Sequence, residues 1–149
     1  MGRCLLVATD GSPAAVNAVQ VGLGLATTQR ADVVFLHVSR ALRKFLEQHP
    51  SEEPTQEQLE QFDPVLHAAA AAAREKGVSA ELVAADEHGA EHIAGIIAGV
   101  ADGKGASMIV VGTRGHGDLV SSVLGSVSHA LLRTTTLPVV VATEATRAE

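Results

Sequence analysis

Tryptophan and tyrosine are absent from this 149-residue chain, and Phe35, Phe45 and Phe62 are its only aromatic residues besides histidine. A core must therefore be built from Val, Leu, Ile and Ala, as in a parallel sheet covered by helices. The same shortage disfavours single-stranded nucleic acid, whose binding surfaces rely on stacking aromatics. Lysine is scarce too, present only as Lys44, Lys76 and Lys104, and the formal net charge is −6. That balance argues against nucleic acid and against anionic membranes as partners. One cysteine, Cys4, excludes an intrachain disulfide and suits a reducing compartment. Its place in an apolar run marks it as an inert, buried thiol. The N-terminus shows no signal-peptide pattern and no apolar stretch approaches the length of a bilayer span, so the expected location is the cytoplasm.

What is present is an ordinary globular balance, 46% hydrophobic and 19% charged, in a length that suits a single domain over residues 1–149. Arg3–Thr9 reads as a buried strand ending at Asp10-Gly11-Ser12-Pro13, where Ser12 is a good N-cap and Pro13 suits the first helical position. Val16, Val19, Leu23 and Ala26 continue at helical spacing to about Arg30. Gly22 and Gly24 weaken that helix and point to close approach of a neighbour. Asp32–Val38 is a second strand. Residues 39–54, with Pro50 and Pro54, read as a variable loop with room for a short helical piece. A long helix is expected from Thr55 to Lys76, with Gly77 as its stop and a kink or break near Asp63 because of Pro64. Strands are expected at Val78–Ala84, Ala106–Gly112 and Pro138–Thr143, and helices at Glu91–Asp102 and Ser126–Arg133.

Strand and helix alternate throughout, so the fold class is α/β with a parallel sheet. The expected topology is a doubly wound five-stranded sheet, strand order 3-2-1-4-5, with helices on both faces. Ligands of such sheets bind at the carboxyl ends of the strands, near the switch in winding direction. Asp10, Val38 and the loop of residues 112–126 all fall on that edge.

That loop is the most informative stretch of the chain. A β-branched strand stops at Gly112, Gly115 follows after two residues, and nine more lead to Gly125-Ser126, where a helix begins. Glycines let backbone approach a ligand, and the unpaired N–H groups of a helix start favour anions, a phosphate above all. The loop is neither a Walker P-loop, since it has no lysine, nor a dinucleotide fingerprint, since the first strand leads into Asp10-Gly11-Ser12. Phosphate contacts would come from backbone N–H groups, the Ser126 and Ser128 hydroxyls, and Arg114. A tight turn would explain Gly112 and Gly115 but not the whole spacing, and Asp10 has the competing role of helping to cap the first helix.

Thr9-Asp10-Gly11-Ser12, Leu36-His37-Val38, the spacing Gly112-x2-Gly115-x9-Gly125-Ser126, Ser128-His129-Ala130-Leu131-Leu132 and Leu137-Pro138-Val139-Val140-Val141 together resemble the universal stress protein family. The likeness covers nearly the whole chain apart from the 40–60 region and the tail, and the glycine spacing resembles the ATP-binding branch. The resemblance implies a site for ATP or another adenine nucleotide, with Mg2+ accompanying the phosphates. Thr9 would line it, with Asp10 beside the ribose or the metal, Val38 offering backbone to the adenine edge, Gly112, Arg114 and Gly115 along the ribose and phosphates, and Gly125, Ser126 and Val127 at the terminal phosphates. It also implies a homodimer through the last strand, residues 138–142. An exposed Val-Val-Val edge would otherwise invite aggregation. One departure is the segment Asp86–Glu91, which lacks the Gly-x-Pro common in the family.

The expected function is a nucleotide-responsive regulator or protective factor in a stress response. Phosphate binding alone does not make an enzyme, because hydrolysis needs a positioned water, a base and charge neutralisation. The alternatives are an interaction protein with a non-functional site and a slow Mg2+-dependent ATPase. Adenylyl-transfer or pyrophosphatase chemistry would require Ser-Gly-Gly-x-Asp-Ser after the first strand, which Thr9–Ser12 does not supply. His88-Gly89-Ala90-Glu91-His92 formally matches a zinc peptidase pattern, but Gly89 is a poor interior helix residue and no third ligand is evident.

Overall fold

The computed structural model describes residues 3–87, 90–113 and 125–144. Along the chain these form β1 (Cys4–Ala8), α1 (Pro13–Gln29), β2 (Asp32–Ser39), α2 (Ala41–Gln48), α3 (Gln56–Phe62), α4 (Pro64–Glu75), β3 (Ala80–Asp86), α5 (Ala90–Lys104), β4 (Ile109–Gly112), α6 (Ser126–Thr134) and β5 (Val139–Ala142). The five strands pair in parallel in the order β3-β2-β1-β4-β5. This is the doubly wound topology expected from the alternation of strand and helix.

The period of two along each strand sorts the core into two layers. Leu5, Val7, Val33 and Phe35 face α1, α3 and α4, while Leu6, Val34, Leu36, Ile109 and Val111 face α5 and α6. Each fully buried aliphatic or Phe side chain contributes about 1.5–3 kcal/mol relative to exposure. With few aromatics to fill space, helices must approach the sheet closely. Gly22 permits this: a Cβ there would lie 2.5 Å from Val7 Cγ2. Gly24 has nothing within 4 Å and serves no such approach. Cys4 is half-buried rather than buried as expected, and its thiol pKa is pushed up first by burial, then by Asp32 and Glu81, against a lowering by Lys104.

The structure refines the sequence expectation in several segments, among them β4, which begins at Ile109 rather than Ala106. The 39–54 region holds a full helix, α2, because Phe45 buries itself and stacks on Phe62, with ring centroids 5.0 Å apart. The break expected near Asp63 is present and divides the long helix into α3 and α4. Asp63 ends α3 in an extended conformation and caps α4, accepting from the N–H groups of Val65 and Leu66. β3 begins at Ala80 rather than Val78 because the Gly77 turn and Val78 close α4 first, with Val78 N–H bonded to the Ala73 carbonyl.

Candidate functional site

A cavity of about 420 Å³ opens at the carboxyl ends of β1, β2 and β4, between those ends and the starts of α5 and α6. It is the place where the strand order reverses direction, with α1 and α5 departing to opposite faces of the sheet. Ile93 and Ile97 of α5, with Ala8 and Val127, give it an apolar wall.

At the β2 end the wall is backbone. The ladder between β1 and β2 registers Ala8 with Leu36, and its last rung runs from Thr9 N–H to the Leu36 carbonyl at 2.9 Å. In a parallel ladder the next residue facing β1 would be Val38. The chain turns away at Asp10–Gly11, so the rung from Val38 N–H is not made, and Val38 lines the cavity. Its N–H and C=O on that side form one unpaired strand position, a donor beside an acceptor.

The β1–α1 turn forms the floor. Gly11 sits at φ 79°, in the left-handed region that favours glycine. Thr9 is buried, and its hydroxyl oxygen accepts from Gly11 N–H at 3.3 Å. Asp10 Oδ1 accepts from Ser12 N–H at 2.9 Å, and Ser12 in turn caps α1 by accepting from Ala15 N–H. Asp10 thus shapes the turn with one oxygen and is also one of the residues that line the cavity.

At the opposite end stand Gly112, Thr113, Gly125, Ser126, Val127 and Ser128. A Cβ on Gly112 would lie 2.8 Å from Ala14 C and Ala15 N, so this glycine is required by the close approach of the first turn of α1. Gly125 N–H bonds the Thr113 carbonyl, joining the two residues that bracket the 114–124 segment. The Ser128 hydroxyl, expected to meet phosphate, is buried and donates to the Gly125 carbonyl at 3.1 Å, so it holds that junction instead. Gly125 is the N-cap of α6 with no side-chain cap, so the first N–H groups of the helix and the exposed Ser126 are left for a ligand. Arg114 and Gly115 lie outside the described residues, as do His88 and Gly89 of the zinc-like pattern. Among the described residues no Lys or Arg lines the cavity and no His, Cys, Asp and Glu cluster could hold a metal by itself.

Sequence reasoning missed two groups at this edge. His37, on the cavity wall, places Nδ1 2.8 Å from Oδ2 and 3.0 Å from Oδ1 of Asp63, which is completely buried. The only hint was Asp63-Pro64, an N-cap followed by N1 proline, and nothing in the sequence tied it to residue 37. Glu87 also lines the cavity, immediately after Asp86, whose carboxylate pairs with Arg43 at 2.9 Å.

Comparison with known proteins agrees with this geometry. The profile of the universal stress protein family matches residues 1–143. The universal stress protein YxiE of Bacillus subtilis is 34% identical over 146 residues, covering 92% of this chain and 96% of its own. Two solved structures share the fold at a TM-score of 0.65 and 19% identity. One is a universal stress protein in complex with cAMP, covering 97% of this chain and 98% of its own. The other is a universal stress protein from Archaeoglobus fulgidus in complex with dAMP, covering 95% and 98%. No helix among the described residues is long and apolar enough to cross a membrane. A family match over almost the full length, on a sheet with this order and this carboxyl-edge cavity, places the chain in the universal stress protein family.

Proposed function

We propose that this protein binds an adenine nucleotide, ATP with Mg2+ in the first instance, and acts as a nucleotide-responsive regulator or protective factor in a stress response. The observation that carries the reading is the unmade rung at Val38 at one end of a cavity whose other end is an uncapped helix start. Adenine presents an acceptor at N1 beside a donor at N6, which complements the Val38 N–H and C=O; guanine presents the reverse pair. The ends of β2 and β4 are separated by β1, hence by about 10 Å, a span that a nucleoside phosphate bridges and free phosphate does not. The complexes of two relatives with cAMP and dAMP support the same ligand class.

The roles are those that the family resemblance implies. Thr9 and Asp10 flank the ribose or the metal, Val38 reads the base, and Gly112, Arg114 and Gly115 run along the ribose and phosphates. Gly125, Ser126 and Val127 receive the terminal phosphates. With no Lys or Arg among the described lining residues, Mg2+ and the α6 N-terminus supply the charge compensation. A second copy of the chain pairs through β5, forming a homodimer. Nothing in the described site is arranged as an efficient hydrolytic centre, so the reading is that of a binding protein with at most slow hydrolysis.

Equilibrium titration of nucleotide-free protein with ATP, with and without Mg2+, tests this. Saturation near one nucleotide per chain at micromolar concentration, tightened by Mg2+, is the expected result. Gly115→Val, which puts a branched side chain where backbone meets phosphate, is expected to abolish binding without unfolding the protein. Folded wild-type protein that ignores millimolar ATP would reject the site and favour an interaction protein with a non-functional cavity.

A further inference from the structure

Past Leu36, β2 has lost its β1 neighbour, yet this free end is the part proposed to read the base. On one side it is held by β3, with Val38 registered to Ala85 and Ser39 to Asp86. On the α4 face it is held by the contact of His37 with Asp63. Asp63 is placed for this by the break between α3 and α4. Its Oδ1 accepts from Val65 N–H at 3.0 Å and Leu66 N–H at 3.2 Å, while His37 Nδ1 reaches both oxygens. An acceptor-only carboxylate at a helix start requires Nδ1 to carry the proton, so His37 donates. The same helix start supports the neighbouring turn: a Cβ on Gly11 would lie 3.0 Å from Val65 Cγ2. The start of α4 thus borders both features, with Asp63 beneath the strand end and Val65 beneath the turn.

We propose that Asp63 is a positioning residue of the nucleotide site, acting through His37 to hold the Val38 N–H and C=O in register with the base. The proposal rests on the adenine-nucleotide reading. Its signature is base discrimination, because only the Val38 end distinguishes adenine from guanine, whereas the α6 end meets phosphates common to both.

The experiment is competitive titration of ATP and GTP, with Mg2+, against the full chain and four variants. His37→Leu removes the donor. His37→Asn restores a donor close to the position of Nδ1. Asp63→Asn keeps the α4 cap, for which Asn and Asp serve about equally, but offers His37 an amide. The fourth is the double variant His37→Leu/Asp63→Asn. The ATP-to-GTP affinity ratio is expected to fall about tenfold in His37→Leu and Asp63→Asn, the loss of one charge-assisted hydrogen bond. It should recover in His37→Asn, and the double variant should be no worse than either single, because both remove one interaction. Imidazole nitrogen NMR of the wild type should show His37 protonated at Nδ1. An unchanged ratio in wild-type-like ATP binders, or equal losses for ATP and GTP, overturns the positioning role and leaves the nucleotide reading standing. Failure of the wild type to bind ATP overturns both.

Discussion

The two edges of the sheet are treated in opposite ways. β3, at one edge, is covered by its own chain: α2 and α3 pack against it, and the Gln56 side-chain amide pairs with the outward backbone of Leu82. Gln56 Oε1 accepts from Leu82 N–H at 2.7 Å and Nε2 donates to the Leu82 carbonyl at 3.0 Å, so one side chain imitates one residue of a further strand. β5, at the other edge, bonds β4 through the Pro138 and Ala142 carbonyls, which leaves Val139 and Val141 facing outward in the ladder alternation. Val139, Val140 and Val141 are only half-buried. A bare strand edge is a template for another strand. Among the described residues one edge is closed and the other open, an arrangement that permits pairing which stops at two copies, as the proposed dimer requires.

The largest effect is expected at β5. Val141→Pro removes an outward N–H without touching the β4 ladder, and light scattering should show the proposed dimer replaced by monomer of half the mass. A variant that stays dimeric would place the interface elsewhere. Gln56→Ala is expected to be intermediate. It strips both partners from Leu82, costing about 0.5–1.5 kcal/mol for each part-buried hydrogen bond lost, and it bares the second edge, so species larger than a dimer should appear as concentration rises. An unchanged melting temperature and mass distribution would show that α2 and α3 close the edge without the amide.

The smallest effect concerns pH. Glu60 on α3 is forked to Arg74 on α4 by contacts of 2.9 and 3.1 Å, and the hydrogen bond and charge of Arg74 hold its carboxyl below the ordinary range. A depressed carboxyl contributes stability above its unfolded pKa and loses it as pH falls through the folded value. Acidification below the usual carboxylate range should therefore loosen α3 over β3, raising amide exchange there, relative to the intrinsic rate at each pH, before it rises in β1. Because the pair is exposed, the change should be slight. Arg74→Ala should remove the pH dependence, and a wild-type exchange profile flat with pH would assign the anchoring of α3 to Leu59 and Phe62 alone.

The same contrast runs through what could be read from the chain. β1, β2, β4 and β5 are short apolar runs bounded by turn residues, and the Ser12-Pro13 and Gly125-Ser126 helix starts announce themselves by local chemistry. The cavity end at α6 was legible for that reason. Ser128 was misplaced as a phosphate contact, because a hydroxyl's partner depends on which carbonyls the fold brings near it. α2 was underestimated because its single buried anchor, Phe45, acquires meaning only once Phe62 lies beside it.

Taken alone, the sequence determined the alternation of strand and helix, the parallel sheet, and the helix start that suits a phosphate. Hydrophobic period, capping and glycine spacing are all properties of neighbouring residues. The tertiary structure decided that β1 turns away one rung before β2 ends, baring Val38, and that Asp63 meets His37 across 26 positions. It decided likewise that Gln56 closes the β3 edge, whereas no described residue does the same for β5. Those are pairings between distant segments, and their energy depends on distance and burial that no local pattern encodes.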